Sequence, residues 1–334
     1  MLIPILLLIA VILYCFGINR LLGLPPGPPP LPILGNMLSF NWEVDKLLLS
    51  WKAKYGRIFT VWLPFPMVVI GEHKVLQEHI VKNGDIYVSK KNPEQLMDIM
   101  SGGLYGLAFE DNSIVKEQRK FAMRALHDIG FGSAALEDTV HHYAQEIVGR
   151  WRKSGDSPVD VTENIMRAVG NIVWRVTFGL TLEFDNPVIA KFQLLQQEAI
   201  QYMAGPFMMF LEVFPILRKF DSISPVRKVK ESFDESNAIL KETIKIVEKS
   251  FNPDNQPNGY VEAFLVEVKK REETGVEIGE NYDELHHLFS MNKWENSFDT
   301  TVSTLRLCCL ELVNHPEVQR KVQKEIDEVI GERV

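Results

Sequence analysis

The sequence of 334 residues predicts a mainly α fold with a small β-sheet. Three observations lead there. Apolar residues recur at three- and four-residue spacings through most of the chain after Glu72, the period of helices with one buried face. Only two short runs, RIFTVWL and MVVIG, are rich in β-branched and aromatic residues, and they flank Pro64, Phe65 and Pro66 at hairpin spacing. Hydrophobic residues make up 46% of the chain, enough to bury a sizeable core in one large domain or two ordinary ones.

Taken in order, Leu2 to Ile18 has no charged side chain and reads as a membrane anchor, near the lower end of the ~17–25 residues that cross a bilayer. With its flank it occupies residues 1–24. Arg20, followed by Lys46, Lys52, Lys54 and Arg57, favours a cytoplasmic body. Residues 25–36, PPGPPPLPILGN, contain six prolines that fix φ and remove amide donors, so they form neither a helix nor a central strand and read as a stiff hinge. Residues 37–334 form the body. Leu47, Leu48, Trp51 and Tyr55 mark a helix over Asp45 to Tyr55 that ends at Gly56.

The two strands follow, and then helices. Leu136, Tyr143, Ile147 and Trp151 lie on one stripe, and Ile165 to Phe178 is another apolar-rich helix. Phe192 to Phe214 is broken by Gly205-Pro206 into two helices joined by an apolar loop, whose Phe207 to Phe210 suit core, pocket or lipid. Asn252 to Asn258 is a turn-rich connection before a helix at Tyr260 to Lys270. Asn314-His315-Pro316 ends one helix and starts the last, with its stripe at Val318, Val322, Ile326, Val329 and Ile330.

The net charge of −8 gives no broad attraction to nucleic acid. Cys15, Cys308 and Cys309 form no C-x-x-C motif and no disulfide framework, as expected for a reducing compartment. Cys308 and Cys309 read as buried core thiols, and the adjacent pair His141-His142 as surface residues.

In their order, the anchor, PPGPPPLPILGN, YGRIFTVWLPFPMVVIGEHKVLQEHIVKNGDIY, KEQRKFAMRALHDIGFG, NGYVEAFLVEVKKR, DTTVSTLR and LELVNHPEVQRKVQKEIDEVIG resemble the microsomal cytochromes P450. The resemblance implies a cytochrome P450-like fold, a haem cofactor and hydroxylation of small lipophilic substrates of xenobiotic, steroid or fatty-acid type. Dioxygen and electrons from an NADPH-dependent reductase would drive it at the endoplasmic reticulum membrane. By position, Arg119 matches the arginine that contacts a haem propionate, while Val115 replaces the tryptophan of that W-x-x-x-R pattern. Asn296-Ser297-Phe298-Asp299-Thr300 stands where the family has Ala/Gly-Gly-x-Asp/Glu-Thr over the iron. Asp299 and Thr300 match the acid and alcohol that relay protons, and Phe298 either faces the substrate pocket or, as one aromatic on a helix, belongs to the core. From the residues alone, Arg119 reads equally as a solvated cation and Asp299 as the N-cap of a helix running to Val313.

In the family's order, E-x-x-R and the cysteine loop that ligates the iron come after the position of Val334. The resemblance therefore implies an incomplete P450-like fold, with the C-terminal third and the axial thiolate outside this chain. Its strands would lack the edge partners supplied by later segments. A non-catalytic, membrane-anchored binding or degenerate product is the alternative expectation.

Overall fold

The computed structural model describes residues 11, 14, 17–41, 43–63, 65–87, 113–132, 134–203, 211, 217, 226–275 and 293–331. The predicted anchor and the Phe207 to Phe210 loop lie largely or wholly outside these residues. Among the described residues, no helix is long and apolar enough to cross a membrane. The chain divides into two compact units, Met1–Asn92 with Gly205–Ser224, and Pro93–Ala204 with Pro225–Val334.

The first unit holds α1 (Val44–Tyr55), β1 (Ile58–Leu63), β2 (Phe65–Ile70) and α2 (His73–Leu76), which runs on into a π-helical turn at Gln77–Val81. The strands pair antiparallel from Ile58 opposite Ile70 to Leu63 opposite Phe65. The hairpin is tighter than the sequence suggests, because Phe65 and Pro66 belong to β2 and not to the turn. Pro66 is tolerated at the second residue of a strand in this two-stranded sheet, where an amide can be dispensed with.

The other edge of β1 is used by the proline-rich segment. The Thr60 N–H donates to Pro26 O at 3.0 Å and its hydroxyl to Pro25 O at 2.9 Å. Asn36 closes the segment: its N–H donates to Trp62 O at 2.8 Å, and its Oδ1 accepts from the Trp62 N–H at 2.9 Å. Its Nδ2 donates back to Pro29 O at 3.1 Å. Carbonyls that prolines cannot pair within the segment thus satisfy donors of a buried strand, which turns an otherwise unzipped edge into a paired one.

In the second unit, α3 (Ser113–Asp128), α4 (Ala134–Lys153), α5 (Val161–Phe178), α6 (Pro187–Met203), α7 (Val226–Ser250), α8 (Tyr260–Thr274), α9 (Lys293–Asn314) and α10 (Pro316–Val329) follow in order. The hub is α5, which packs against α4, α6, α7, α8 and α9. Its composition explains this: Ile165, Ala168, Val169, Trp174, Val176 and Phe178 cover most of its circumference with buried apolar groups. Trp174 is the centre of an aromatic group, 4.7 Å from Phe178 and 5.7 Å from Phe192 between ring centroids. Phe121, Phe192, Ile244 and Phe264 bring α3, α6, α7 and α8 into the same core.

Both ends of α5 are capped. Asp160 Oδ1 accepts from the Thr162 N–H at 2.8 Å, and Gly179, at φ 71°, terminates the helix in the left-handed region. The hydrogen bond from the Thr162 backbone holds the Asp160 carboxyl below its ordinary range. A lowered folded pKa contributes stability that is present above the unfolded carboxylate value and lost as pH falls through the folded one. Asp160→Ala is therefore expected to flatten the decline in stability below about pH 4, the unfolded aspartate value. Denaturation midpoints measured across that range for the parent and the variant check this.

Candidate functional site

The acid and alcohol stand inside α9. That helix begins at Lys293, so Asp299 is an interior residue and the N-cap alternative is corrected. Asparagine and serine before an aspartate favour a cap locally, but the packing of Phe298 onto α5 is gained only if the helix continues through it. The side chains of Lys293 to Ser297 are outside the described residues.

One face of α9 is bound. Phe298, Val302 and Cys309, at spacings of four and seven residues, pack against Ile165, Met166 and Val169 of α5. Phe298 is 5% exposed. Its ring lies 3.3 Å from where a Cβ on Gly170 would be, and the same point is 2.3 Å from Gln193 Nε2, so a larger residue there would displace the Gln193 side chain. Gln193 is held there by donating from Nε2 to Met166 O at 2.7 Å. With Trp174, Ile189 and Phe192, these residues line an apolar cavity of about 20 Å³.

Thr300 follows Phe298 by two residues, about 200° around a helix, and so projects from the opposite face, where it is exposed. Thr304 lies one turn on and donates its hydroxyl to Thr300 O at 2.8 Å. Asp299 falls between the two faces and is half-buried. The acid–alcohol pair is thus brought to the margin of the outward face of α9, with its neighbour Phe298 fixing the register.

Arg119 is on a different helix. Phe121, Ala122 and Ala125 turn α3 inward against α8, and Arg119 is exposed. It and the α9 pair are carried by separate elements, each packed on the α5 and α8 framework. Cys309 is half-buried in the α5 contact, as a core thiol would be, while Cys308 is exposed, which corrects the expectation of two buried cysteines. His141 and His142 are exposed. Among the described residues, no group of three or more His, Cys, Asp and Glu side chains could hold a metal ion.

The resemblance implies for these residues a cation for a haem propionate on α3 and an acid–alcohol pair on α9; Arg119 and Thr300 are exposed and Asp299 is half-buried. Of the described cysteines, Cys309 packs against α5, and Cys308 is exposed eight residues beyond Thr300, about 12 Å along the helix. The features that sequence reasoning missed are Gly170 and Gln193. A glycine inside a strongly apolar helix and a glutamine among apolar residues were the available signals.

The second unit is thus a helix-rich domain built around α5, with Arg119 and Thr300 exposed on separate helices and Asp299 half-buried. The sequence pattern of the cytochrome P450 family matches residues 25–334. A probable cytochrome P450, CYP36A1 of Caenorhabditis elegans, is 31% identical over 336 residues, covering 98% of this chain and 67% of that protein. Cytochrome P450 2M1 of Oncorhynchus mykiss is 31% identical and cytochrome P450 2C16 of Oryctolagus cuniculus 30% identical. The alignments cover 93% and 92% of this chain and 62% of each of those proteins. The chain belongs to the cytochrome P450 family, and it spans roughly two thirds of the length of these relatives.

Proposed function

We propose that this chain is part of a haem-thiolate monooxygenase that hydroxylates small lipophilic substrates with dioxygen and NADPH-derived electrons, delivered by a reductase at the endoplasmic reticulum membrane. The observation that carries the reading is Thr300 on the outward face of α9, with half-buried Asp299 at its margin, while Phe298 and Val302 lock the other face to α5. Haem, when bound, supplies the activation of oxygen. The chain's own residues supply the rest. Thr300 offers a hydroxyl proton on the open face, and Asp299, half-buried beside it, restores that proton from solvent. Arg119 gives a charge-assisted donor to a propionate. Phe298 reaches substrate only through the small cavity it lines, so its proposed contact requires α6 to move away from α5.

Thr300→Ala, tested in a haem-loaded form of the protein reconstituted with a reductase, is expected to lower hydroxylation by roughly 10²-fold, the low end for a lost proton donor. NADPH consumption should continue and release peroxide, because reduction no longer ends in productive protonation. Unchanged product yield per NADPH would remove Thr300 from the proposal.

A separate expectation concerns residues 1–334 alone. Produced with added haem, reduced and exposed to carbon monoxide, they should give no red-shifted, thiolate-type Soret band, given where Cys308 and Cys309 sit. Such a band would mean that one of the three cysteines serves as ligand.

A further inference from the structure

Met166 stands where α5 meets both α6 and α9. Its side chain packs with Ile165 and Val169 against Phe298 and Val302, and its carbonyl accepts from Gln193 Nε2 at 2.7 Å. The residue is 8% exposed, yet its sulfur is not sealed within that contact. Gln197 Nε2 donates to Met166 Sδ at 2.9 Å, and both residues line an open groove of about 300 Å³ between α5 and α6. Asp160, Glu163 and Arg167 line it too, so the groove is polar and roomy enough for a molecule the size of hydrogen peroxide.

The two side chains that meet there are poorly matched. A thioether is a weak acceptor, so an amide N–H aimed at one gains less than it would from an oxygen. Oxidation of the sulfur improves the match, because the sulfoxide presents a polar oxygen to the same donor. A sulfoxide also does not belong against Phe298 and Val302, since it turns a flexible apolar side chain into a polar one. The unmodified side chain therefore suits the α9 contact, and the oxidised one suits the groove beside Gln197.

The position matters because of what α9 carries. Among the described residues Phe298 and Val302 are its buried side chains in the contact with α5, and Asp299 and Thr300 stand between these two in sequence. Withdrawal of Met166 from this small cluster removes one of the three α5 residues on which they rest. Met67 and Met123 are exposed and lie on β2 and α3, outside the contact. Met37, 6% exposed in the first unit, is a methionine of matched burial with no part in it.

We propose that Met166 is a site of reversible oxidation by hydrogen peroxide, which loosens α9 and with it the Asp299–Thr300 pair. A sulfur lone pair attacks one peroxide oxygen, the O–O bond breaks, and the other oxygen leaves as water with both protons. The sulfur loses two electrons and the peroxide gains them. The sulfoxide oxygen turns into the groove and accepts from Gln197 Nε2. Methionine sulfoxide reductase, with a thiol reductant, reverses the step. The source of the oxidant rests on the function proposed above: a monooxygenase whose reduction does not end in hydroxylation releases peroxide. The chain then slackens the helix that bears Asp299 and Thr300 when reduction is unproductive.

The test uses the full chain and its Met166→Leu variant, a swap that nearly conserves volume and removes the sulfur. Each is treated with dilute hydrogen peroxide. Sulfoxide at every methionine is followed by mass spectrometry, and tryptic cleavage after Arg306, inside α9, is timed alongside. In the parent, sulfoxide should form at Met166 before it forms at Met37, and cleavage should then rise by about fivefold or more, the effect of a modest loss of local stability. Methionine sulfoxide reductase should restore the protection. Met166→Leu keeps Met67, Met123, Cys308 and Cys309, so oxidation at those residues is common to both proteins, and its cleavage should not rise. Sulfoxide at Met166 no earlier than at Met37, sulfoxide at Met166 with unchanged cleavage, or a rise that the variant shares would each overturn the site. Because the peroxide is added, failure of the monooxygenase reading would leave these results unchanged and remove only the source of the oxidant.

Discussion

Phe298→Ala is expected to destabilise the second unit by about 3–5 kcal/mol, the range for removing a buried phenylalanine. The ring is 5% exposed and meets Ile165, Met166 and Val169, so its removal enlarges a cavity that already exists between α5 and α6. Collapse of the site is resisted by Gln193, whose side chain is fixed to Met166 O. The loss falls mainly on α9, because among the described residues Phe298 and Val302 are the buried ones of its contact with α5. Proteolysis of α9 should accelerate while the Trp174 core, built from α3, α5, α6, α7 and α8, stays protected. Thr300→Ala, two residues on and on the exposed face, is the matched control and should change stability by no more than about 0.5 kcal/mol. Urea midpoints for the two variants decide the matter, and a Phe298→Ala cost within 1 kcal/mol of the control would show that α9 is held by something other than this ring.

The contrast between these two positions shows what was readable beforehand. Periodicity located α5 and α10 and the short strands, because each depends on the pattern of its own segment. Whether Asp299 caps a helix or lies within one could not be decided locally, since Asn-Ser-Asp favours the cap and only packing of Phe298 on a helix about 130 residues earlier overrules it. The same limit hid the role of the proline segment. Its composition excluded helix and central strand, but its carbonyls are acceptors for Thr60 and Asn36, and that pairing becomes visible only once β1 is in place. For the site, matching residues named Asp299, Thr300 and Arg119. That Thr300 faces outward follows from which side of α9 meets α5, a tertiary fact. Cys308 fails for the same reason: two adjacent helical residues cannot both face one neighbour.

Gly259→Ala should produce a loss at the upper end of the about 1–3 kcal/mol typical of overpacking, although the residue is in a loop and has an ordinary extended backbone. Its φ of −153° is open to any amino acid, so the cost is purely one of space. A Cβ there would lie 2.3 Å from Gly179 N, 2.8 Å from Phe178 C and 2.9 Å from Thr177 O. All three are backbone atoms at the C-terminal end of α5, and none can rotate away as a side chain would. Relief requires α8 to retreat from α5. That strains the hydrogen bond from Arg175 Nη1 to Asn258 O, 2.6 Å, and withdraws Tyr260, Val261 and Phe264 from the core. Gly155→Ala provides the comparison: at φ 57° with nothing within 4 Å, it should cost only about 1 kcal/mol of backbone strain. If denaturant midpoints place Gly155→Ala at or above Gly259→Ala in cost, the close approach of α5 and α8 does not constrain the fold as argued. If Gly259→Ala is the worse by about 1 kcal/mol or more, the join between these helices depends on the absence of a side chain at Gly259.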